Sequence, residues 1–200
     1  TNFKFVMISL LGESNAEQVS SLVKDTGLID IVVGLMESQD DDISEKAITA
    51  ATSLANSSVY YCDLLMQVGI VKRLIRLLNE SSLESILNAA ALALTYCCDK
   101  RKKSKQLDIT TSKDCLEAIA QHLVHDRHDT LLSRSCSAIF HILEGFESEK
   151  INEVLDGTDM GFLTRMLQLL PSKAPYVQRP IWRCIKLIAS ASDVYIKAIF

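Results

Sequence analysis

The sequence predicts an all-α protein built by repetition. Apolar residues recur at helical spacing along most of the chain, and nothing alternates with period two for long enough to form a strand. One helix–break–helix stretch, Gly69 to Cys98, also returns in looser copies at a near-constant interval. A repeat of this kind has too little apolar area to stand alone, so its neighbours must supply its core.

In the reference stretch Val71, Leu74, Ile75, Leu77 and Leu78 fall at helical spacings, with Lys72, Arg73 and Arg76 on the other face. Residues 79–82 break the pattern. Ser85 or a neighbour is placed to cap a second helix, whose run from Ile86 to Leu94 is small and apolar all round. The alanines at 89, 90, 91 and 93 let other backbones come close, as an enclosed helix requires.

A shift of about 42 residues backwards sets Val32, Val33 and Met36 where Leu74, Ile75 and Leu78 stand. About 45 residues forward, Leu116, Ile119, Ala120 and Leu123 match Val71, Leu74, Ile75 and Leu78. About 47 further on, Gly161, Phe162 and Leu163 precede Met166, Leu167 and Leu170. Second halves recur at 46–55, 90–98, 135–144 and 181–189, joined by the polar connections QDDDIS, NESS, HDRHD and PSKAP. The expected organisation is one segment over 1–200 with no internal domain boundary, cut from a longer protein. It comprises a partial repeat over 1–26 and repeats at 27–68, 69–113, 114–160 and 161–200.

Composition narrows the function. The chain is 48% apolar, and 21 basic against 25 acidic residues leave a net charge of −4, which gives no case for nucleic acid. No apolar run is long enough for membrane insertion. The six cysteines at 62, 97, 98, 115, 136 and 184 lie mostly in apolar helical stretches without a CxxC spacing, so buried free thiols in a reducing cytoplasm or nucleus are expected.

Candidates for chemistry are few. His122, His125 and His128, with Asp126 and Asp129 nearby, could offer two nitrogens on one helical face, but read better as a polar helix end entering a surface loop. Neither G-x-S-x-G, H-E-x-x-H nor a Gly-rich phosphate loop occurs, so no catalytic residue, metal or cofactor is expected. Asp40, Asp41 and Asp42 suit a helix N-terminus. Leu163, Met166, Leu167, Leu169 and Leu170 are spaced like an export peptide but fill the repeat's core positions. The densest charge, Lys100, Arg101, Lys102, Lys103 and Lys105, forms an electrostatic patch open to an acidic partner or a localisation receptor.

The unit opens G-[IL]-[IV]-x-x-[LV]-[IV]-x-L-[LM] and closes A-x-x-A-L-x-x-[LC], and in this it resembles the armadillo repeat of β-catenin and of importin-α-type receptors over residues 27–189. The resemblance implies a right-handed α-α superhelix whose third helices line a concave groove. The corresponding groove positions are Thr49 and Ser53, Leu92 and Tyr96, Ser137 and His141, Arg183 and Leu187. Importin-α-type receptors carry Trp and, four residues later, Asn at these places to grip lysine-rich peptides; none of the four pairs does so. Trp182 falls one residue off and is expected to pack or face a neighbouring repeat. Nor is there a row of Lys and Arg like that of β-catenin, since only Arg183 among these positions is basic. The implied function is a non-catalytic scaffold in the cytoplasm, or the nucleus, that holds a protein or peptide in its groove. A nuclear-transport receptor and a regulatory segment attached to a catalytic domain elsewhere in the parent chain are the alternatives.

Overall fold

The computed structural model describes residues 27–99, 101, 106–124, 127–156, 158 and 161–191. The partial repeat over 1–26 and the residues after 191 lie outside them, as do His125, Asp126, Lys100, Lys102, Lys103 and Lys105. Among the described residues there are ten α-helices, one short 3₁₀ turn and no strand. They gather into two compact units, one running up to Cys97 with Arg101, the other holding Cys98, Asp99 and the residues from Gln106 onward.

The first unit contains α1 (Leu28–Leu35), α2 (Asp41–Ser57), α3 (Val59–Gln67), α4 (Ile70–Glu80) and α5 (Glu84–Cys98). Gly27 and Gly69 precede α1 and α4 at φ 60° and 80°, a left-handed conformation that costs glycine nothing and other residues a steric clash. Asp40 caps α2 as expected, its carboxylate accepting from the backbone of Asp42 at 3.0 Å and Ile43 at 3.3 Å. Helix α5 begins at Glu84, so Ser85 lies inside it rather than at its cap, and the amide of Leu83 donates to Ser81 Oγ at 3.2 Å.

Packing ties these helices at both ends. Ser44 Oγ donates to the Met36 carbonyl at 2.6 Å, and Glu37 accepts from Arg73 and Arg76 at 2.8 Å each, joining the end of α1 to α4. Met36, Ile48, Leu65, Leu74, Leu87 and Leu94 are fully buried, and so are the alanines at 47, 51, 90, 91 and 93, which is why α2 and α5 can be apolar on nearly every side.

The second unit contains α6 (Ile109–Ala120), α7 (Asp129–Glu144), α8 (Ser148–Leu155), α9 (Gly161–Leu169), a 3₁₀ turn (Leu170–Ser172) and α10 (Pro175–Ala191). Helix α7 packs against α6 and against α10. Asp108 caps α6 by accepting from the hydroxyl of Thr111 at 2.7 Å and from its amide at 2.9 Å, bonds that hold its carboxyl below the usual range. Lys113 reaches the Asp156 carbonyl at 2.7 Å, and Lys173 pairs with Asp129 at 3.1 Å.

Three expectations are corrected here. His122 is buried at 4% exposure instead of lying on a polar helix end, because the turn that closes α6 folds it inward; His128 caps α7, its Nδ1 accepting from Thr130 N at 3.3 Å. In α9 the buried contact passes to Leu169, while Leu170, where the chain tightens into 3₁₀ geometry, is only half-buried. The short helices α3 and α8 have no place in the two-helix unit drawn from the sequence. All six cysteines are buried thiols, none of them in a disulfide.

Candidate protein-binding surface

Each long helix buries most of its circumference and leaves a narrow outward stripe. On α2 Thr49 is exposed and Ser53 half-buried; on α5 Leu92 and Tyr96 are half-buried; on α7 Ser137 is half-buried and His141 buried, at 7% exposure. Every buried residue of α10 (Val177, Pro180, Ile181, Cys184, Ile185, Ile188) has a buried counterpart at the same spacing on α7 (Leu132, Ser135, Cys136, Ile139, Phe140, Leu143), which also buries Leu131, Ala138, His141 and Ile142. That register sets Trp182 level with Ser137 and Lys186 level with His141. Matching the small residue Cys184 to Ala138, as the sequence invites, shifts the frame by one and selects Arg183 and Leu187 instead. Arg183 still lies on the exposed side, whereas Leu187 is half-buried. Trp182 does not pack: it is 57% exposed.

Helix α10 carries a proline in its interior, and α7 accommodates it. Pro180 has no amide hydrogen to give the carbonyl of Tyr176, one turn earlier. Ser133 Oγ on α7 donates to that carbonyl at 3.0 Å. The contact fixes the two helices side by side at the start of the exposed stripe, and the Cys184 thiol, donating to the Cys136 carbonyl at 3.1 Å, fixes them again about two turns further along α10. Burial pushes the Cys136 thiol up to about 12 and Cys184 well above its ordinary value, so neither is a nucleophile.

Between those anchors the guanidinium of Arg183 lies 3.8 Å from the Phe140 ring centroid, a cation–π contact that holds it in place. Phe140 meets His141 edge-on with centroids 5.2 Å apart, and His141 Nδ1 is 3.2 Å from Glu144 Oε2. Burial holds the His141 pKa below its ordinary value despite the upward pull of Asp99 and Glu144, and Arg183 adds to the lowering. Asp99, His141 and Glu144 bring donor atoms of the kind that bind metals within 4.8 Å of one another. A cation there would meet the positive charge of Arg183, so the trio reads as a buried polar brace.

The family model of the armadillo/beta-catenin-like repeat matches residues 60–99. These span α3, α4 and α5, so the matched unit opens on the short helix before Gly69. A designed armadillo repeat protein solved in complex with peptide (KR)4 superposes with a TM-score of 0.77 at 18% identity, covering 96% of this chain and 77% of that one. The chain folds as an armadillo-repeat protein. Rice (Oryza sativa subsp. japonica) importin subunit alpha-1a is 27% identical over 93% of the chain, and importin subunit alpha-1b from the same source 26% identical over 90%. The armadillo segment spans about a third of the length of these relatives, 34% and 32% respectively.

Of the basic patch expected on this armadillo chain, Arg101 is described and exposed. No helix of the described residues is long and apolar enough to cross a membrane. The residue that the sequence reading left out of the surface is Trp182. Its signal was present: with Pro175, Arg179 and Lys186 it makes a stripe at helical spacing that never falls on a buried position.

Proposed function

We propose that this chain is a non-catalytic interaction scaffold that holds an extended peptide or a helix of another protein against the outward stripes of its long helices. The carrying observation is that α2, α5 and α10 each expose or half-expose residues four apart, Thr49/Ser53, Leu92/Tyr96 and Trp182/Lys186, and α7 half-exposes Ser137, on helices otherwise largely buried. Tyr96 and Trp182 offer large contact area at low entropic cost, and Arg183 a positioned charge. Ser137, Arg183 and Leu187 border the same strip of the second unit, and Thr49, Ser53 and Leu92 belong to the first. Likeness to importin alpha subunits and to a designed peptide-bound armadillo protein supports the reading. Buried thiols suit a cytoplasmic or nuclear protein, and the basic residues 100–105 supply a second, electrostatic contact.

Selection of random peptides displayed on phage tests the reading. Enriched peptides should lose binding to Tyr96→Ala or Trp182→Ala protein that keeps its helical content. A selection that enriches nothing sensitive to either change would refute it. The receptor-of-basic-signals alternative is disfavoured by the residue following Trp182 at four-residue spacing, which is Lys186 where importin-α-type receptors carry Asn.

A further inference from the structure

Helix α10 turns one continuous face to solvent, made of Pro175, Tyr176, Arg179, Trp182, Arg183 and Lys186, all of them exposed. An open hollow of about 420 Å³ lies along it, lined by Pro175, Gln178, Arg179, Trp182, Arg183 and Lys186. Within the helix's seventeen residues there is no aspartate or glutamate. Among the described residues neither Arg179 nor Lys186 has an ion-pair partner, and Arg183 spends its guanidinium face on Phe140, leaving its N–H edges without a hydrogen bond. Asp99 and Glu144 gather around His141, Asp99 being only 4% exposed, and Asp129 is paired with Lys173. A chain of net charge −4 therefore concentrates three cations with no ion-pair partner among the described residues around its single tryptophan.

We propose that this face docks an acidic segment of a partner protein, aspartate- or glutamate-rich with an apolar or aromatic residue to lie on Trp182. The proposal rests on the scaffold reading above and names the chemistry of its partner. Charge complementarity is the reason for the choice. Three cations within about two turns attract carboxylates and repel a lysine-rich peptide, while the indole face supplies the apolar contact that a purely electrostatic site lacks. Lys186 is the residue that turns the site: an Asn there would accept a basic ligand, and an ammonium rejects one.

The sole tryptophan makes the test direct, because its fluorescence reports only on this face. The probes are a capped octapeptide of glutamates with one central phenylalanine, the basic peptide (KR)4, and an oligothymidylate of eight nucleotides. The acidic peptide should shift Trp182 emission saturably and bind at least tenfold more weakly in Lys186→Glu or Arg179→Glu protein of unchanged circular dichroism. Its binding should also weaken as salt rises. The proposal is overturned if (KR)4 binds the wild-type protein more tightly than the acidic peptide, or if the oligothymidylate does. It also fails if the acidic peptide gives no saturable response, or binds both charge-reversed variants as well as wild type. Phage-selected peptides that depend on Trp182 but are neutral or basic would leave the scaffold reading standing and remove this inference alone.

Discussion

Replacing Ser133 with Ala tests whether α7 repairs the helix that Pro180 interrupts. The hydroxyl donates at 3.0 Å to the Tyr176 carbonyl, which the proline leaves without a helical partner. Losing one such bond costs about 0.5 to 1.5 kcal/mol. Pro180→Ala restores an amide hydrogen to α10 and removes a helix penalty of about 3 kcal/mol, offset by lost packing since Pro180 is buried. In that background the carbonyl has its own helical donor, and Ser133→Ala should cost only a few tenths of a kcal/mol, a coupling of about 1 kcal/mol. The four proteins are compared by urea unfolding followed through far-UV circular dichroism and the fluorescence of Trp182, which sits on α10 itself. Equal costs of Ser133→Ala with and without the proline would refute the reasoning.

Further outcomes follow from single residues. Gly69→Ala, at φ 80°, should destabilise by about 1 to 2 kcal/mol, whereas Gly34→Ala, on an exposed turn of α1 with open space around its missing Cβ, should stabilise by about 0.5 to 1 kcal/mol in the same melts. Because the folded state depresses the His141 pKa, the unfolded chain takes its proton first as pH falls. Stability should therefore drop as pH decreases through the ordinary histidine range, about 6.5, and down to the lower folded value. His141→Gln should flatten that part of the curve. Ellman's reagent should label Cys136 and Cys184 hardly at all in the native protein, and all six thiols after unfolding without reductant.

The fold was legible where periodicity ran long. Leu74, Leu78, Leu87 and Leu94 are fully buried or nearly so because the repeat dictates an enclosed helix, and Gly27 and Gly69 announce helix starts that only a left-handed residue allows. The helix α3 was not legible, since Val59-Tyr60-Tyr61-Cys62 shows no 3.6-residue stripe and is defined by its Ser58 cap and its packing on α2. His122 was misread because a polar side chain at a helix end looks solvated until the following turn folds it inward. The surface shows the same limit. Thr49, Leu92 and Ser137 follow from spacing, but a single-residue choice between Cys184 and its neighbour Arg183 as the register mark decides whether Trp182 joins the proposed stripe, and its 57% exposure was not legible in the sequence.

The most direct measurement is photocrosslinking of a phage-selected peptide carrying a diazirine at its centre, followed by peptide mass mapping of the labelled protein. The scaffold account predicts adducts on the outward stripes, concentrated on α7 and α10 at Ser137, Trp182, Arg183 and Lys186 and competed away by unlabelled peptide. Competable adducts on the opposite elements of that unit, α6, α8 or α9, with none on α10, would contradict it.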